Sequence, residues 1–589
     1  MARQLEQFPN LVTMFFRRAA EKGDQPFLWA KRNGQWRSTS WSEAARQVAA
    51  FAESLKRLGI DPGDRVMLVS ENRPEWLIAD LGIMAAGCVT VPTYTTNTTR
   101  DHTHILGNSG ARAVIVSTQK LARALIPAVL FGSECHHVIG IEDIRTGQAV
   151  EGAQFHHWAE LVAGNGDIET VARRCEAIGR DDLACLIYTS GTGGAPRGVQ
   201  QHHGAILHNI AGCVDVISND FGWDDEVFLS FLPASHAYEH TGGQHFPVGL
   251  GAQIYYAESL EKLAGNIEEV RPTIMVVVPR LFEMLRARIL KAIGDGGGLS
   301  SYLLKRALQI GTDRYEGRFK PWDLPMDGIL ALTVRRKVRG RFGGRIKAMV
   351  SGGAPLNPEV GMFFHSLGLT LLQGYGQTES GPVISCNRPS AGIRMETVGP
   401  PLRDTDVKIA EDGEILVRGE LVMHGYWQNP EETARVLKDG WLHTGDVGHI
   451  DDGGRIVITD RKKDLIVNDK GDNVSPQRVE GMLTLQPEIA QAMVFGDRRP
   501  YLVALLVPDP EVAGDPELQQ KLSRAVDRVN SDLSVIERVR RFIVADAPFT
   551  TDNEQLTPSM KIRRHVLKQA YGERLDALYK GEPQRAARV

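Results

Sequence analysis

The sequence predicts an α/β protein: a large N-terminal domain of doubly wound α/β layers plus a β-rich subdomain, followed by a small mobile α+β C-terminal domain. Three observations carry this prediction. From about residue 60 onward, short apolar runs alternate with helical patterns, and the alternation starts afresh near Leu183. At 589 residues the chain is too long for one hydrophobic core. A charged run, Asp460-Arg461-Lys462-Lys463-Asp464, then separates the long first part from a last segment with a pattern of its own. We therefore divide the chain into 1–462 and 463–589, with the β-rich subdomain at about 396–459.

Along the chain, residues 65–70 read as a strand and 74–86 as a helix, and 113–117 and 138–141 read as strands. The second block opens with the apolar run 183–187, the pattern of a buried parallel strand. Residues 227–232, 253–256 and 274–278 are apolar strands, with helices at 260–270 and 280–293, and 346–350 continues the series. From Thr397 the character changes: 407–410 and 414–417 flank Glu411-Asp412-Gly413, a hairpin signal. In the last segment, 490–495 and 501–507 read as a hairpin around Gly496 to Pro500. The low-complexity patch Gly294 to Ser301 reads as a surface loop.

Composition narrows the class. An apolar share of 42% suits a soluble globular protein and argues against disorder and against a membrane-embedded chain. A formal net charge of -4 implies no broad nucleic-acid footprint, so no nucleic-acid partner is expected. The basic stretches 335–345 and 461–463 are local candidates for anions or a lipid surface, set against the commoner solvated face. The scattered cysteines include no C-x-x-C pair, which suggests neither a zinc ribbon nor a disulfide scaffold and fits a reducing cytoplasm. Met1 to Asn10 lacks a signal-peptide core, and no apolar run approaches the roughly 18 residues needed to span a bilayer. The expectation is a cytoplasmic protein whose contact with the inner face of the membrane, if any, is peripheral. The oligomeric state stays open, with a homodimer among the options.

The chemistry concentrates after the strand at 183–187, in Y-T-S-G-T-G-G-A-P-R-G, Tyr188 to Gly198. Here Thr189, Ser190, Gly191, Thr192, Gly193 and Arg197 can bring backbone N–H groups, hydroxyls and a cation around a polyphosphate. No G-K-[ST] ends the loop, so it is not the common P-loop, and Ala195-Pro196 break the dinucleotide fingerprint. Alone, it also reads as a plain turn between a strand and a helix. Three further motifs follow in order. Ser351-Gly352-Gly353-Ala354-Pro355 can let backbone approach a flat base. Gly374-Tyr375-Gly376-Gln377-Thr378-Glu379 offers an aromatic face, a hydroxyl and a hard oxygen. Trp441-Leu442-His443-Thr444-Gly445-Asp446 ends on a carboxylate able to accept two hydrogen bonds from a vicinal diol.

Taken together, these motifs and Leu556 to Arg564 resemble the adenylate-forming enzymes, over essentially the whole chain, and most closely the long-chain fatty acyl-CoA synthetases. Two positions depart from the family loop: Gly193 stands where Thr is usual and Arg197 where Lys is usual. The resemblance implies that Tyr375 stacks on adenine, Thr378 contacts the α-phosphate and Glu379 helps to hold Mg²⁺. It implies that Asp446 holds the ribose, that Arg461 reaches the nucleotide, that Lys463 is the hinge and that Lys561 is the catalytic lysine. Gly353, Ala354 and Gly376 fall in the nucleotide site, and His236 in an L-P-x-x-H segment near the acyl pocket. The branch rests on Val278-Pro279-Arg280-Leu281-Phe282-Glu283, on a long insert at about 292–343, and on the L-T-P-x-x-K form of the C-terminal motif.

The activity this implies is attack of a fatty carboxylate on ATP, giving acyl-AMP and pyrophosphate with Mg²⁺ as charge clamp, then transfer to coenzyme A after domain rotation. Gly471 to Pro476 matches the segment that faces the site in the second state. An acyl-AMP ligase or acyl-carrier-protein synthetase is the alternative within the class, and a non-catalytic acyl or nucleotide binder is the alternative outside it. The H-x-x-E-H pattern at His236 to His240, with the two histidines on one helical face, also fits a zinc protease but follows Phe231-Leu232-Pro233. The histidine pairs 136–137, 156–157 and 202–203 read as local, without ligand spacing.

Overall fold

The structure, a computed structural model, describes residues 4–131, 133–145, 152–164, 166–189, 195–294, 298–470, 472–550, 553–557 and 561–580. The amphipathic helix Leu11–Lys22 comes first, its N-cap Asn10 accepting from the Thr13 N–H. A hairpin of β1 (Pro26–Arg32) and β2 (Gln35–Ser40) follows.

The next seven strands are β3 (Arg65–Val69), β4 (Val89–Thr93), β5 (Ala113–Val116), β6 (His137–Gly140), β7 (Gln154–His157), β8 (Leu183–Thr189) and β9 (Arg197–His202). They form one sheet in the order β7-β6-β5-β3-β4-β8-β9. Neighbours run parallel except at the edge, where β9 returns antiparallel against β8. The glycine-rich loop therefore joins two strands of a hairpin, where the plain-turn reading has it lead from a strand into a helix.

The second block supplies β10 (Val227–Ser230), β11 (Gln253–Tyr256), β12 (Ile274–Val277), β13 (Ala348–Ser351), β14 (Leu371–Gly376) and β15 (Val383–Cys386). These take up the N-terminal hairpin to make an eight-stranded sheet, β15-β14-β13-β12-β10-β11-β1-β2. Its central strands β10, β12 and β13 are short apolar runs covered on both faces, as crossover helices require. One core cluster joins the two sheets, with Phe15, Phe27, Trp41 and Trp76 among its large side chains.

Strand alternation divides the eight-stranded sheet into two faces. Met275, Val277, Met349 and Leu371 pack against the insert, through Leu304, Ile310, Leu330 and Phe342. Val276, Val350 and Leu372 face the opposite way and line a cavity. The insert is helical: Gly298–Tyr315, then Leu324–Leu330, a π-helical turn Ala331–Arg335, and Arg336–Arg341. This corrects the loop expected at Gly294 to Ser301. Gly298 to Ser301 open a helix, and residues 295–297 lie outside the described set. The helix expected at 260–270 begins only at Leu263.

The β-rich unit holds β16 (Asp406–Ile409), β17 (Glu414–Arg418), β18 (Leu437–Lys438), β19 (Trp441–Ile450) and β20 (Ile456–Arg461), with antiparallel pairing throughout. The last segment has the small pair β21 (Ile466–Val467) and β22 (Asn473–Val474), and the sheet β23 (Ile489–Phe495), β24 (Leu502–Pro508) and β25 (Val539–Val544). Strand β24 feeds two cores by strict alternation: Leu502, Ala504 and Leu506 to one face, Val503, Leu505 and Val507 to the other. The helices Pro476–Thr484 and Arg564–Lys580 are tied by the buried pair of Arg564 and Glu480, 2.6 Å apart.

Candidate active site

A cavity of about 2010 Å³ opens where the strand ends of both large sheets, the β-rich unit and the C-terminal segment meet. That exceeds the roughly 300–1,000 Å³ of a site for one small molecule, so there is room for more than one ligand group. Thr189, Arg197, His236, Gly353, Ala354 and Tyr375 line it, and so do Gly376, Thr378, Glu379, Asp446, Arg461, Lys463 and Lys561. Ser190, Gly191, Thr192 and Gly193 lie outside the described residues. Thr189 ends β8 with its Oγ1 buried and without a hydrogen-bond partner among the described residues.

Local backbone explains two glycines. Gly353 follows β13 at φ +79°, a left-handed conformation that lets the chain turn sharply under the cavity. Gly376 ends β14 where it pairs with β15, and a Cβ there would lie 1.8 Å from the Pro382 carbonyl oxygen. Only a residue without a side chain fits.

Beyond Gly376 the carboxylates gather. Asp446, on β19, is buried; its Oδ2 accepts from the Tyr375 O–H at 2.8 Å, and the Arg461 Nε stands 3.2 Å from its Oδ1. Burial raises the Asp446 pKa, opposed by the Arg461 charge and the tyrosine hydrogen bond. Glu379 accepts from the Tyr426 O–H at 2.8 Å. The Arg197 guanidinium lies 4.5 Å over the same Tyr426 ring and reaches Glu432 at 2.7 Å.

Tyr426 and Glu432 escape sequence reasoning. The segment 424–427 adds to the edge of β9 by main-chain hydrogen bonds: Gln200 N–H to Gly425 C=O, His424 N–H to Gln200 C=O, and Trp427 N–H to Gly198 C=O. Nothing local in the sequence records a contact across more than 220 residues.

Lys561 comes from the other side. Its backbone N–H donates to Thr557 Oγ1 at 3.0 Å and its carbonyl accepts from the Thr557 N–H at 2.8 Å. These two bonds tie Lys561 to Thr557 beside the cavity. The surrounding protein, then the Arg461 charge, lower its pKa to about 8, while Asp446 and Glu379 act to raise it. The side chain still touches water through the cavity, so the surrounding protein strips away only part of its hydration. His236 is half-buried and held neutral, its pKa lowered to about 4 by desolvation and then by the charge of Lys561. Lys463 is exposed, two residues beyond the end of β20.

The cavity has an apolar arm between the sheet and the helix His203–Asp220. Val216 and Ile217 of that helix, Phe246, and the strand residues Ile274, Val276 and Val350 line it. His236 and Tyr238 stand with them, at the arm's junction with the polar part.

The histidine readings need correction. His236 and His240 do not share a helical face, because His236 is the N-cap, in extended backbone, of the helix that starts at Ala237, and its Nδ1 accepts from the Tyr238 N–H. His240 and His245 instead sit on a π-helical stretch, His240–His245, where a five-residue spacing brings both onto Asp80. Their Nε2 atoms lie 3.1 and 2.9 Å from Asp80 Oδ2, fully buried. The pairs at 136–137 and 156–157 are not merely local: β6 and β7 place His137 Nδ1 3.0 Å from His156 Nε2.

With the geometry in place, the comparisons are as follows. Residues 15–427 match the family model "AMP-binding enzyme", and residues 463–583 match "AMP-binding enzyme C-terminal domain". The chain is 32% identical over 601 residues to "Long-chain-fatty-acid--CoA ligase FadD15" of Mycobacterium tuberculosis, covering 97% of each. It is 27% identical to "Long chain acyl-CoA synthetase 1" of Arabidopsis thaliana, covering 98% of this chain and 92% of that one. Among solved structures, the A domain of carboxylic acid reductase from Segniliparus rugosus, in complex with AMP and a co-purified carboxylic acid, has a TM-score of 0.75. It is 22% identical over 98% of this chain and 95% of that one, a likeness of fold.

Proposed function

The chain belongs to the AMP-binding enzyme family, and from that premise we propose that it activates a long-chain fatty acid with ATP and passes it to coenzyme A. The observation that carries this is the meeting of Lys561 with Asp446, Arg461 and Glu379 across one cavity that continues into an apolar arm. The polar part suits a nucleotide and the arm suits an acyl chain.

In this reading the fatty carboxylate lies at the junction by His236 and attacks the α-phosphorus of ATP. The new bond is carboxylate oxygen to phosphorus; the bond to the bridging oxygen breaks and pyrophosphate leaves. Negative charge grows on the phosphoryl oxygens, and the Lys561 ammonium is placed to stabilise it. Asp446 accepts from the ribose hydroxyls, and the Arg461 charge opposes the rise that burial imposes on its pKa. Tyr375 gives the adenine a flat neighbour, and Gly353 and Ala354 let main chain come close.

The donor set fits Mg²⁺: Glu379 offers a carboxylate oxygen beyond the one Tyr426 occupies, and Thr378 an adjacent hydroxyl. When bound, Mg²⁺ supplies neutralising charge to the phosphates. His236, neutral at pH 7, orients the carboxylate without contributing charge.

Thioester formation needs a different face of the C-terminal segment, with Lys463 as the turning point and Lys561 withdrawn. Residues 1–462 and 463–589 are then the two moving bodies.

The test is pyrophosphate release from palmitate and Mg-ATP, with and without coenzyme A. Palmitoyl-CoA must form only in the presence of the thiol. Pyrophosphate release without any acyl-CoA would instead identify a ligase that serves a carrier protein, and no release at all would identify a binder.

A further inference from the structure

The reaction leaves one buried polar cluster unused. Asp80 sits in the helix Pro74–Ala85, and His240 and His245 come from the π-helical stretch, 160 and 165 residues further on. All three side chains are fully buried, and none is among the residues lining the cavity. One ligand atom from each lies within 4.8 Å of the other two.

Charge is the first argument. A carboxylate taken out of water needs a positive partner or a metal ion. Among the described residues no Lys or Arg pairs with Asp80; its partners are two imidazoles, charged only if protonated. Their ring centroids lie 4.7 Å apart, so protonating both would set like charges side by side. Proton placement is the second argument. Asp80 Oδ1 and the Nδ1 atoms of both rings are buried with no hydrogen-bond partner among the described residues. No neighbour therefore obliges either ring to carry its proton on Nε2. With the proton on Nδ1, both Nε2 lone pairs face Asp80, and Oδ1 is available to the same centre. Spacing is the third. Ligands about 2.0–2.1 Å from a tetrahedral Zn²⁺ stand about 3.3 Å from each other. The two Nε2 atoms lie 3.1 and 2.9 Å from Asp80 Oδ2, so small outward shifts of the side chains admit an ion.

We propose that Asp80, His240 and His245 bind a structural divalent transition-metal ion, Zn²⁺ by the chemistry of the donors. Two imidazole nitrogens, one carboxylate oxygen and a water in the fourth position make a set that zinc accepts. The zinc pattern at His236 to His240 then contains one true ligand, His240, and the others come from Asp80 and His245. The ion ties the helix Pro74–Ala85 to the segment that carries Tyr238 and Phe246 to the cavity wall. Its binding energy adds to folding, and it touches no reacting group.

The experiment is elemental analysis of the full chain, made in minimal medium supplemented with zinc or with cobalt and purified without a metal-affinity step. The wild type should carry about one zinc per chain, and the cobalt form should show the visible bands of a low-coordinate nitrogen and oxygen site. Asp80→Asn and His245→Gln should each lower the metal content at least about tenfold. Wild type made under zinc limitation should melt at a lower temperature than the zinc-loaded protein, a difference that the variants lack.

Less than about a tenth of an equivalent of any transition metal in the wild type would overturn the proposal and leave a hydrogen-bonded pair of Asp80 with one imidazolium. Equal metal in wild type and variants would overturn it too, because the ion would then sit elsewhere. If the variants do not fold, X-ray absorption of the zinc-loaded wild type decides. Two imidazoles with oxygen around the ion support the site, and thiolate or oxygen ligands alone refute it.

Discussion

Replacing Lys561 by Met removes a cation that the C-terminal segment brings to Asp446 and Glu379, and pH offers a way to see that cation work. The Lys561 pKa of about 8 lies near the working range because protein and Arg461 press on the ammonium. The charged form stabilises the transition state, so adenylation should be full below about pH 7 and fall as pH rises through 8. About nine-tenths of the enzyme is charged at pH 7 and about one-tenth at pH 9, so kcat/KM should drop about tenfold between them. Bound ATP adds negative charge beside the lysine, so the fall in kcat should lie at higher pH than the fall in kcat/KM. The assay is pyrophosphate release from decanoate and Mg-ATP without coenzyme A, which isolates the first half-reaction. Lys561→Met should lose on the order of 10²–10³ in rate and show no alkaline fall. Lys561→Arg should keep part of the rate and stay flat to at least about pH 9.5. An alkaline fall of the same shape in Lys561→Met would assign the titration to another group and refute the reasoning.

Other outcomes follow from single contacts. Tyr426→Phe removes the donor to Glu379 while leaving the ring under Arg197, and should raise the apparent KM for Mg-ATP several-fold with kcat within about threefold of wild type, measured by initial rates. Gly376→Ala sets a Cβ against the Pro382 carbonyl and should abolish nucleotide binding by calorimetry while far-ultraviolet circular dichroism stays near wild type. Asp80→Asn leaves two buried histidines without their shared anion and should destabilise by about 3–5 kcal/mol, read as a lower melting temperature. The buried imidazoles of His102 and His203 have pKa values lowered by burial to about 4 and about 3. The unfolded chain takes up protons below about pH 6.5 and the folded chain does not, so stability is present above that pH and is lost below it. At pH 5.5 the two cost about 3 kcal/mol together, and His203→Asn should flatten the acid fall in melting temperature.

Much of this site is legible in the sequence because its parts are short loops at strand ends. Gly374 to Glu379 and Trp441 to Asp446 carry their own glycines and polar groups, so their chemistry survives being read locally. The strands of both large sheets are legible for a similar reason, as apolar runs of the right length. Strand order is not: nothing in Phe27 and Leu28 says that their neighbour is β11, some 225 residues away. The same holds for Tyr426, whose approach to Arg197 depends on main-chain pairing with the edge of β9. The pairing of His240 with His245 is not legible for another reason. An α-helical period places His236 with His240, and only the wider π turn sets His240 with His245.

The placement of the first hairpin has a consequence for how the protein is made. Strand β1 takes its parallel neighbour from residues 253–256, and β2 is the outer edge of that sheet. A ribosome delivers β11 only after β3 to β9 have emerged, so the whole seven-stranded sheet can close first. At about 5–20 residues per second, the hairpin waits roughly 10–45 s for its place, and an isolated hairpin is marginal in water. In the finished fold Phe27 and Trp41 stack with 3.6 Å between ring centroids and share a core cluster with the helix Leu11–Lys22. A chain cut short before β11 leaves β1 as an unpaired edge, on the side that β11 covers in the finished sheet.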